Sequence, residues 1–180
     1  ATLAGIGRIA PAGGKSVLVN GSLRSGNVGG SAAENLELVT SGAGTISLLG
    51  TLAFDIHDNV GGENPAESND QLILSSDTSI VLSGTLKVTD TTAFSATEWT
   101  IGDTWQLVDW SGVAGDTKFT GGFTTLDMPT LGSGLSWVTS TDDNGFYIAV
   151  AVVPEPGRAL LLCGGLTLLV LRRRRTVHAM

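Results

Sequence analysis

The stretch from residue 55 to residue 70 contains five acidic residues, and the four besides Glu67 are the side chains best suited to binding a metal ion. Asp55, Asp58, Glu63 and Asp70 would supply oxygen ligands from one acidic stretch, and Ca²⁺ in proteins takes several oxygen ligands in flexible geometry. Their spacing matches neither the EF-hand loop nor the glycine-rich calcium repeat. We therefore prefer a solvated surface loop, with a weak calcium site as the alternative.

Two other patterns point towards catalysis, and neither is complete. Gly13-Gly14-Lys15-Ser16 shares its last residues with a phosphate-binding loop, but that loop needs a glycine where this chain has Ile9. His57 is the only histidine outside the C-terminal tail, and no G-x-S-x-G motif selects a serine to act with it. We expect His57 to be a loop residue. The sequence thus predicts no catalytic residue, no cofactor and no enzyme.

The composition indicates a β-rich, acidic body. Glycine accounts for 25 of 180 residues and 15% of residues are charged, against about 25% in a typical soluble domain. Residues 1–157 contain five Lys and Arg against seventeen Asp and Glu, a formal charge of −12, whereas residues 158–180 contain five arginines and no acid. The body argues against nucleic acid as a partner, because phosphate binding needs clustered basic side chains. The single Cys163 excludes an internal disulfide and a zinc site.

Three segments follow one another at the C-terminus. Pro154-Glu155-Pro156 predicts a rigid, extended break, because each proline fixes its own φ and restrains the residue before it. Residues 159–171 are apolar apart from Thr167. The apolar run ends at four arginines: Arg172, Arg173, Arg174 and Arg175. We predict a transmembrane helix over residues 157–171, stopped by these arginines on the cytoplasmic side, with the body outside.

This tail resembles the PEP-CTERM sorting signal of Gram-negative bacteria, in which the same three parts occur in the same order. The resemblance covers Val153 to about Arg175 and departs from the family at Arg158, where small or apolar residues are usual. It implies that a membrane-embedded exosortase recognises Pro154, Glu155 and Pro156 and cleaves nearby. The chain would then be a substrate, with the exosortase and the membrane as its partners.

The remainder of the chain predicts short β-strands. Apolar and β-branched runs alternate with Gly, Asn, Asp and Ser, and no 3.6-residue period occurs outside the tail. A weak repeat, apolar-x-Gly-[Ser/Thr]-Leu, occurs at Gly21, Gly50 and Gly84, with spacings of 29 and 34 residues. Periods of roughly 20–50 residues are typical of solenoids. Coincidence among glycine-rich hairpins is the alternative.

Further segments of the body resemble a known class of passenger. Residues 23–30, LRSGNVGG, resemble the L-x-P-G-N-x-x-G corner of autotransporter-associated β-strand repeats, with Ser25 where proline is usual. Segments that resemble the end of such passengers are 50–56, 69–72, 102–109 and 134–137. The resemblance implies an all-β, right-handed parallel β-helix whose last rungs and capping region lie in this chain.

Aromatic residues are concentrated between residues 94 and 147, where all four tryptophans and the single tyrosine lie. An open solenoid end exposes unpaired strand edges and core side chains. Because aromatic side chains bury large areas, we expect this region to close the solenoid. A carbohydrate-binding platform of exposed aromatics is the alternative.

These patterns combine into three predicted regions. Residues 1–93 form β-solenoid rungs, residues 94–152 an aromatic-rich β cap, and residues 153–180 a sorting tail with one C-terminal transmembrane α-helix. Because the chain opens on Ala1 without a charged and then apolar leader, we expect it to be the C-terminal part of a longer exported protein.

The predicted function follows from the tail. We expect a non-catalytic bacterial protein of the cell surface or extracellular matrix, anchored first in the inner membrane with its body outside and its C-terminus inside. The alternative is the C-terminal part of a secreted protein that binds or degrades an extracellular polysaccharide, because β-helices also carry lyases and hydrolases.

Overall fold

The computed structural model describes residues 1–27, 33–57, 69–91 and 99–153, and these residues form fifteen β-strands. The strands are short because glycine and polar turn residues interrupt the apolar runs after a few positions. In chain order they are β1 (Thr2–Gly5), β2 (Gly7–Ile9), β3 (Val17–Val19), β4 (Ser22–Ser25), β5 (Asn35–Val39), β6 (Ile46–Leu48), β7 (Thr51–Ile56), β8 (Gln71–Ser76), β9 (Ile80–Leu82), β10 (Thr85–Asp90), β11 (Thr104–Val113), β12 (Phe119–Gly121), β13 (Thr125–Asp127), β14 (Leu135–Thr141) and β15 (Gly145–Val152).

The strands are distributed over three sheets. Sheet A has the order β1-β4-β7-β10-β13, sheet B the order β14-β15-β11-β8-β5-β2, and sheet C the order β12-β9-β6-β3. The chain visits sheets A, B and C in turn, so strands β1–β3, β4–β6, β7–β9 and β10–β12 form four successive rungs. Neighbouring rungs pair in parallel in each sheet. The described body is therefore a three-sided coil.

The glycine repeat of the sequence marks the corner between sheets C and A. Two positions after each glycine is a leucine that stacks on its counterpart in the next rung and is buried: Leu23, Leu52 and Leu86. A Cβ atom at Gly50 would overlap the carbonyl oxygen of Gly21 in the preceding rung. Glycine therefore allows the backbones of successive rungs to approach closely at this corner.

The corners of the coil differ in length. Sheet C passes to sheet A through two residues in the first three rungs, 20–21, 49–50 and 83–84. Sheet A passes to sheet B through Ile6 alone in the first rung, but through residues 26–34, 57–70 and 91–103 in the next three. The long connections thus all lead from sheet A to sheet B, at what we call the A–B corner.

An antiparallel hairpin follows the last rung in sheet B. Strand β15 pairs antiparallel with both β11 and β14. The rings of Trp99, Trp105 and Trp137 meet one another in this region, with centroids 5.5 to 5.8 Å apart. Trp99, Trp105 and Trp110 are buried, so these three belong to the core and cannot form an exposed platform for sugars.

The predicted fold class needs correction. The body is all-β, but the described residues form no α-helix, and sheet B is mixed and not wholly parallel. In the part of the chain that the structure describes, no helix is long and apolar enough to cross a membrane. The predicted class, a parallel β-helix end plus a C-terminal transmembrane α-helix, is therefore wrong. Residues 157–171, which the sequence assigned to that helix, lie outside the described ranges, and their apolar run is shorter than the roughly 20 residues that a spanning helix needs.

Candidate functional site: a buried charged corner

A cluster of polar side chains lies at the A–B corner, where the strands of sheet A end. We call Arg24, Asp55, His57, Asp70 and Thr91 the charged corner. Arg24 belongs to β4 and Asp55 to β7, while His57 and Thr91 directly follow β7 and β10, and Asp70 directly precedes β8. The parallel register of β4, β7 and β10 therefore brings residues far apart in sequence to one edge of the coil.

Arg24 and Asp55 form a buried ion pair between the second and third rungs. Nη2 of Arg24 donates a hydrogen bond to Oδ2 of Asp55. The side chain of Asp55 is fully buried and that of Arg24 is 14% exposed. Because a buried carboxylate without a counter-charge is costly, this pair must form when the two rungs stack.

His57 is the first residue of the connection that follows β7, so it lies in a loop as expected, but its side chain is buried beside the ion pair. Its ring is 5% exposed. Nδ1 lies 2.8 Å from Oγ1 of Thr91, and Nε2 lies 3.0 Å from Oδ1 of Asp70. Oγ1 of Thr91 also donates to the carbonyl oxygen of Ile56 at 3.0 Å. The ring therefore bridges the third and fourth rungs.

Asp70 extends the same network to the second rung. Its Oδ1 accepts the backbone N–H of Glu34 at 3.1 Å as well as the contact from His57. Its Oδ2 is buried without a hydrogen-bond partner among the described residues. Burial raises the pKa of Asp70 above its ordinary 3.8, and the nearby charge of Asp55 adds to this, while His57 and the Glu34 N–H act in the opposite direction.

Asp70→Asn is expected to change the pH dependence of stability. An acid whose pKa is raised on folding holds its proton more tightly in the folded state. The contribution of Asp70 to stability is therefore greatest at a pH below 3.8, the pKa of its carboxyl in the unfolded chain. This contribution is lost as the pH rises through the pKa of the same carboxyl in the folded protein. The free energy of unfolding of the wild type minus that of the variant should fall with pH across this window, measured by urea denaturation. The exposed Asp143→Asn is the matched control, and a wild-type-minus-Asp70→Asn difference that is constant with pH would contradict the assignment.

The calcium hypothesis finds little support at this corner. Asp55 and Asp70 are brought together, but their carboxylates are paired with Arg24 and His57. Asp58 and Glu63 lie outside the described residues. Among residues that are described, no three His, Cys, Asp or Glu side chains are grouped so as to hold a metal ion.

Thr91, His57 and Asp70 are connected in the order of a nucleophile, a base and an orienting acid. The Thr91 hydroxyl, however, donates to the backbone of Ile56, and the ring of His57 is almost fully covered. A substrate would have no access to the proton that His57 must accept. The geometry therefore fits a structural clamp between rungs better than a catalytic relay.

A polar cleft of about 410 Å³ lies elsewhere, between the β11–β12 connection and the turn of the β14–β15 hairpin. Residues that line it are Ser111, Gly115, Asp116, Lys118, Asp143 and Asn144. Side chains of this kind offer both donors and acceptors to a hydroxyl-rich ligand.

The predicted sorting residues lie outside the described part of the chain. They are Pro154, Glu155, Pro156, Arg172, Arg173, Arg174 and Arg175. Arg24 and Thr91, in contrast, were not singled out in the sequence, because their partners are 31 and 34 residues away. Comparison with known proteins found no matching family model, no similar curated protein and no similar solved structure.

Proposed function

We propose that this chain is the passenger of an exported bacterial protein of the cell surface or extracellular matrix, and that an exosortase sorts it through residues 153–175. The observation that carries the proposal is the order of three parts in the tail: Pro154-Glu155-Pro156, an apolar run and an arginine cluster. The precursor is held at the inner membrane, its body outside and its arginine-rich C-terminus inside. It is then delivered to the surface or released.

The body supports a non-catalytic role. Buried charges in the charged corner are engaged with one another across rungs, and Trp99, Trp105 and Trp110 are packed into the core. Such groups hold the coil together, and the carboxylates of Asp55 and Asp70 are engaged with Arg24 and His57 instead of facing a substrate. A stable, passive scaffold is what a displayed protein requires.

The alternative function, binding of an extracellular polysaccharide, is favoured by one observation. The polar cleft beside the β14–β15 hairpin offers hydroxyl, amide, carboxylate and ammonium groups to a sugar. Small-molecule sites, however, are usually lined mainly by apolar and aromatic side chains. We therefore place this function second.

Substitution of Pro154, Glu155 and Pro156 together by alanine is expected to abolish processing of the tail. The tripeptide is the part that the enzyme would read, and the substitution leaves residues 1–153 unchanged. The measurement is the intact mass and the membrane or medium fraction of the chain, in a host that expresses an exosortase. Pro11→Ala, in the β2–β3 connection, is the matched control. Processing of the triple variant at the wild-type level would refute the proposed sorting signal.

A further inference from the structure

Thr91 limits the hydrogen-bonding states that His57 can adopt. The backbone N–H and the hydroxyl of Thr91 both reach the carbonyl oxygen of Ile56 at 3.0 Å. A threonine hydroxyl has one proton and two lone pairs. It can accept a hydrogen bond from a protonated Nδ1 while donating to Ile56, or it can turn and donate to an unprotonated Nδ1. In the second state, the Ile56 oxygen keeps the backbone N–H of Thr91.

The other ring nitrogen has one role in both states. Nε2 of His57 lies 3.0 Å from Oδ1 of Asp70, and an ionised carboxylate can only accept. While Asp70 is ionised, Nε2 therefore carries a proton whether the ring is neutral or charged. The contacts of His57 with Thr91 and Asp70 are kept in two charge states, which differ in the Nδ1 proton and in the direction of the Thr91 hydroxyl.

We infer that Thr91 and His57 form a proton-accommodating clamp, in which the Thr91 hydroxyl reorients when His57 gains or loses a proton. The clamp keeps three rungs joined, from the Glu34 N–H through Asp70 and His57 to Thr91. The body thereby keeps its A–B corner intact when His57 changes charge, and the range for the test is about pH 5 to 8, where an unperturbed histidine changes charge. This property is independent of how the chain is sorted.

Among the described residues, the charged groups near His57 have partners of their own. Arg24 on β4 is paired with Asp55 on β7. The carboxylate of Glu34, before β5, accepts from the backbone and the side chain of Asn27 at 2.5 and 2.8 Å. Asp90, at the end of β10, also has an interaction of its own. In the described part of the chain, the ring nitrogens of His57 contact Thr91 and Asp70.

The direct test is ¹⁵N NMR of the His57 ring in the full chain across this pH range. Nε2 should remain protonated throughout, while Nδ1 changes from a donor at low pH to an acceptor at high pH. The amide of Glu34 should keep the same exchange protection at both ends. A neutral ring with its proton on Nδ1, or loss of protection at Glu34 on deprotonation, would overturn the inference.

A variant isolates the hydroxyl. Thr91→Val removes a charge-assisted hydrogen bond from the protonated ring and a weaker neutral one from the unprotonated ring. Its drop in melting temperature relative to the wild type should therefore be about 2–4 °C larger at the acidic end of the range than at the alkaline end. Thr85→Val, at the start of strand β10, which Thr91 directly follows, is the matched control. Equal pH dependence in the two variants would overturn the inference, and if Thr91→Val does not fold, the NMR result on the wild type decides.

Discussion

Arg24→Met is expected to lower the free energy of unfolding by about 3–5 kcal/mol, because it leaves a buried carboxylate without its counter-charge. Asp55 is fully buried, and Arg24 donates to it from the neighbouring strand of sheet A. Methionine keeps much of the length of the arginine stem, so the loss measures the missing charge more than missing volume. Urea denaturation at neutral pH would give the difference, and the melting temperature should fall by roughly 10 °C.

The double variant Arg24→Met with Asp55→Leu provides the control for this prediction. Replacing both members of a buried ion pair by apolar residues is often neutral or stabilising. We therefore expect the double variant to recover most of the stability lost by Arg24→Met. If the double variant were as unstable as the single one, the loss would come from packing and not from the stranded Asp55 charge.

Gly84→Ala is expected to lower the free energy of unfolding by about 3–5 kcal/mol. This loss combines the strain of a left-handed backbone at alanine with a steric overlap of its Cβ atom. Gly84 has a φ of +78°, and a Cβ atom there would overlap the carbonyl oxygens of Gly50 and Leu49. Those atoms are backbone of the preceding rung, so they cannot move aside without separating β7 from β10. The melting temperature and the denaturation midpoint of the variant would measure the loss.

Gly102→Ala separates the two contributions to the Gly84 effect. Gly102 has a φ of +99°, but nothing lies within 4 Å of a Cβ atom built there. Gly102→Ala should therefore lower the free energy of unfolding only through backbone strain, by about 1–2 kcal/mol. Equal losses at Gly84 and Gly102 would show that close stacking of rungs at the corner between sheets C and A contributes nothing.

Part of sheet A could be predicted from the sequence. The glycine spacings of 29 and 34 residues equal the steps in register from Ser22 to Thr51 and from Thr51 to Thr85. A repeat with a fixed corner determines which leucines stack, even when its other positions vary. The all-β character follows from the same short runs and turns.

The charged corner could not be predicted from local patterns. Asp55 stands in an acidic stretch, which suggested a solvated loop or calcium, because local sequence gives no sign of a counter-charge from another rung. The register that pairs Arg24 with Ala53 would place Arg24 two residues from Asp55. If the register of the glycine repeat is extended along β4 and β7, it therefore predicts that Arg24 lies near Asp55. Composition and motifs do not predict this contact.

The transmembrane helix was predicted from hydropathy and the arginine cluster. Neither property depends on the fold of the body, so the strands of residues 1–153 provide no evidence for the predicted helix. The sorting proposal rests accordingly on the order of the three tail segments, which a processing assay can test without knowledge of the fold.

The unequal corners of the coil determine where this protein can change over evolutionary time. The first three connections from sheet C to sheet A are two residues long, and Gly50 leaves no room there for a side chain. At the A–B corner, connections as different as Ile6 alone and residues 57–70 join strands of the same two sheets. Because the entropic cost of closing a loop rises only slowly with its length, insertions can enter at several neighbouring positions without shifting a strand. The A–B corner is therefore free to diversify while the short corner between sheets C and A preserves the scaffold.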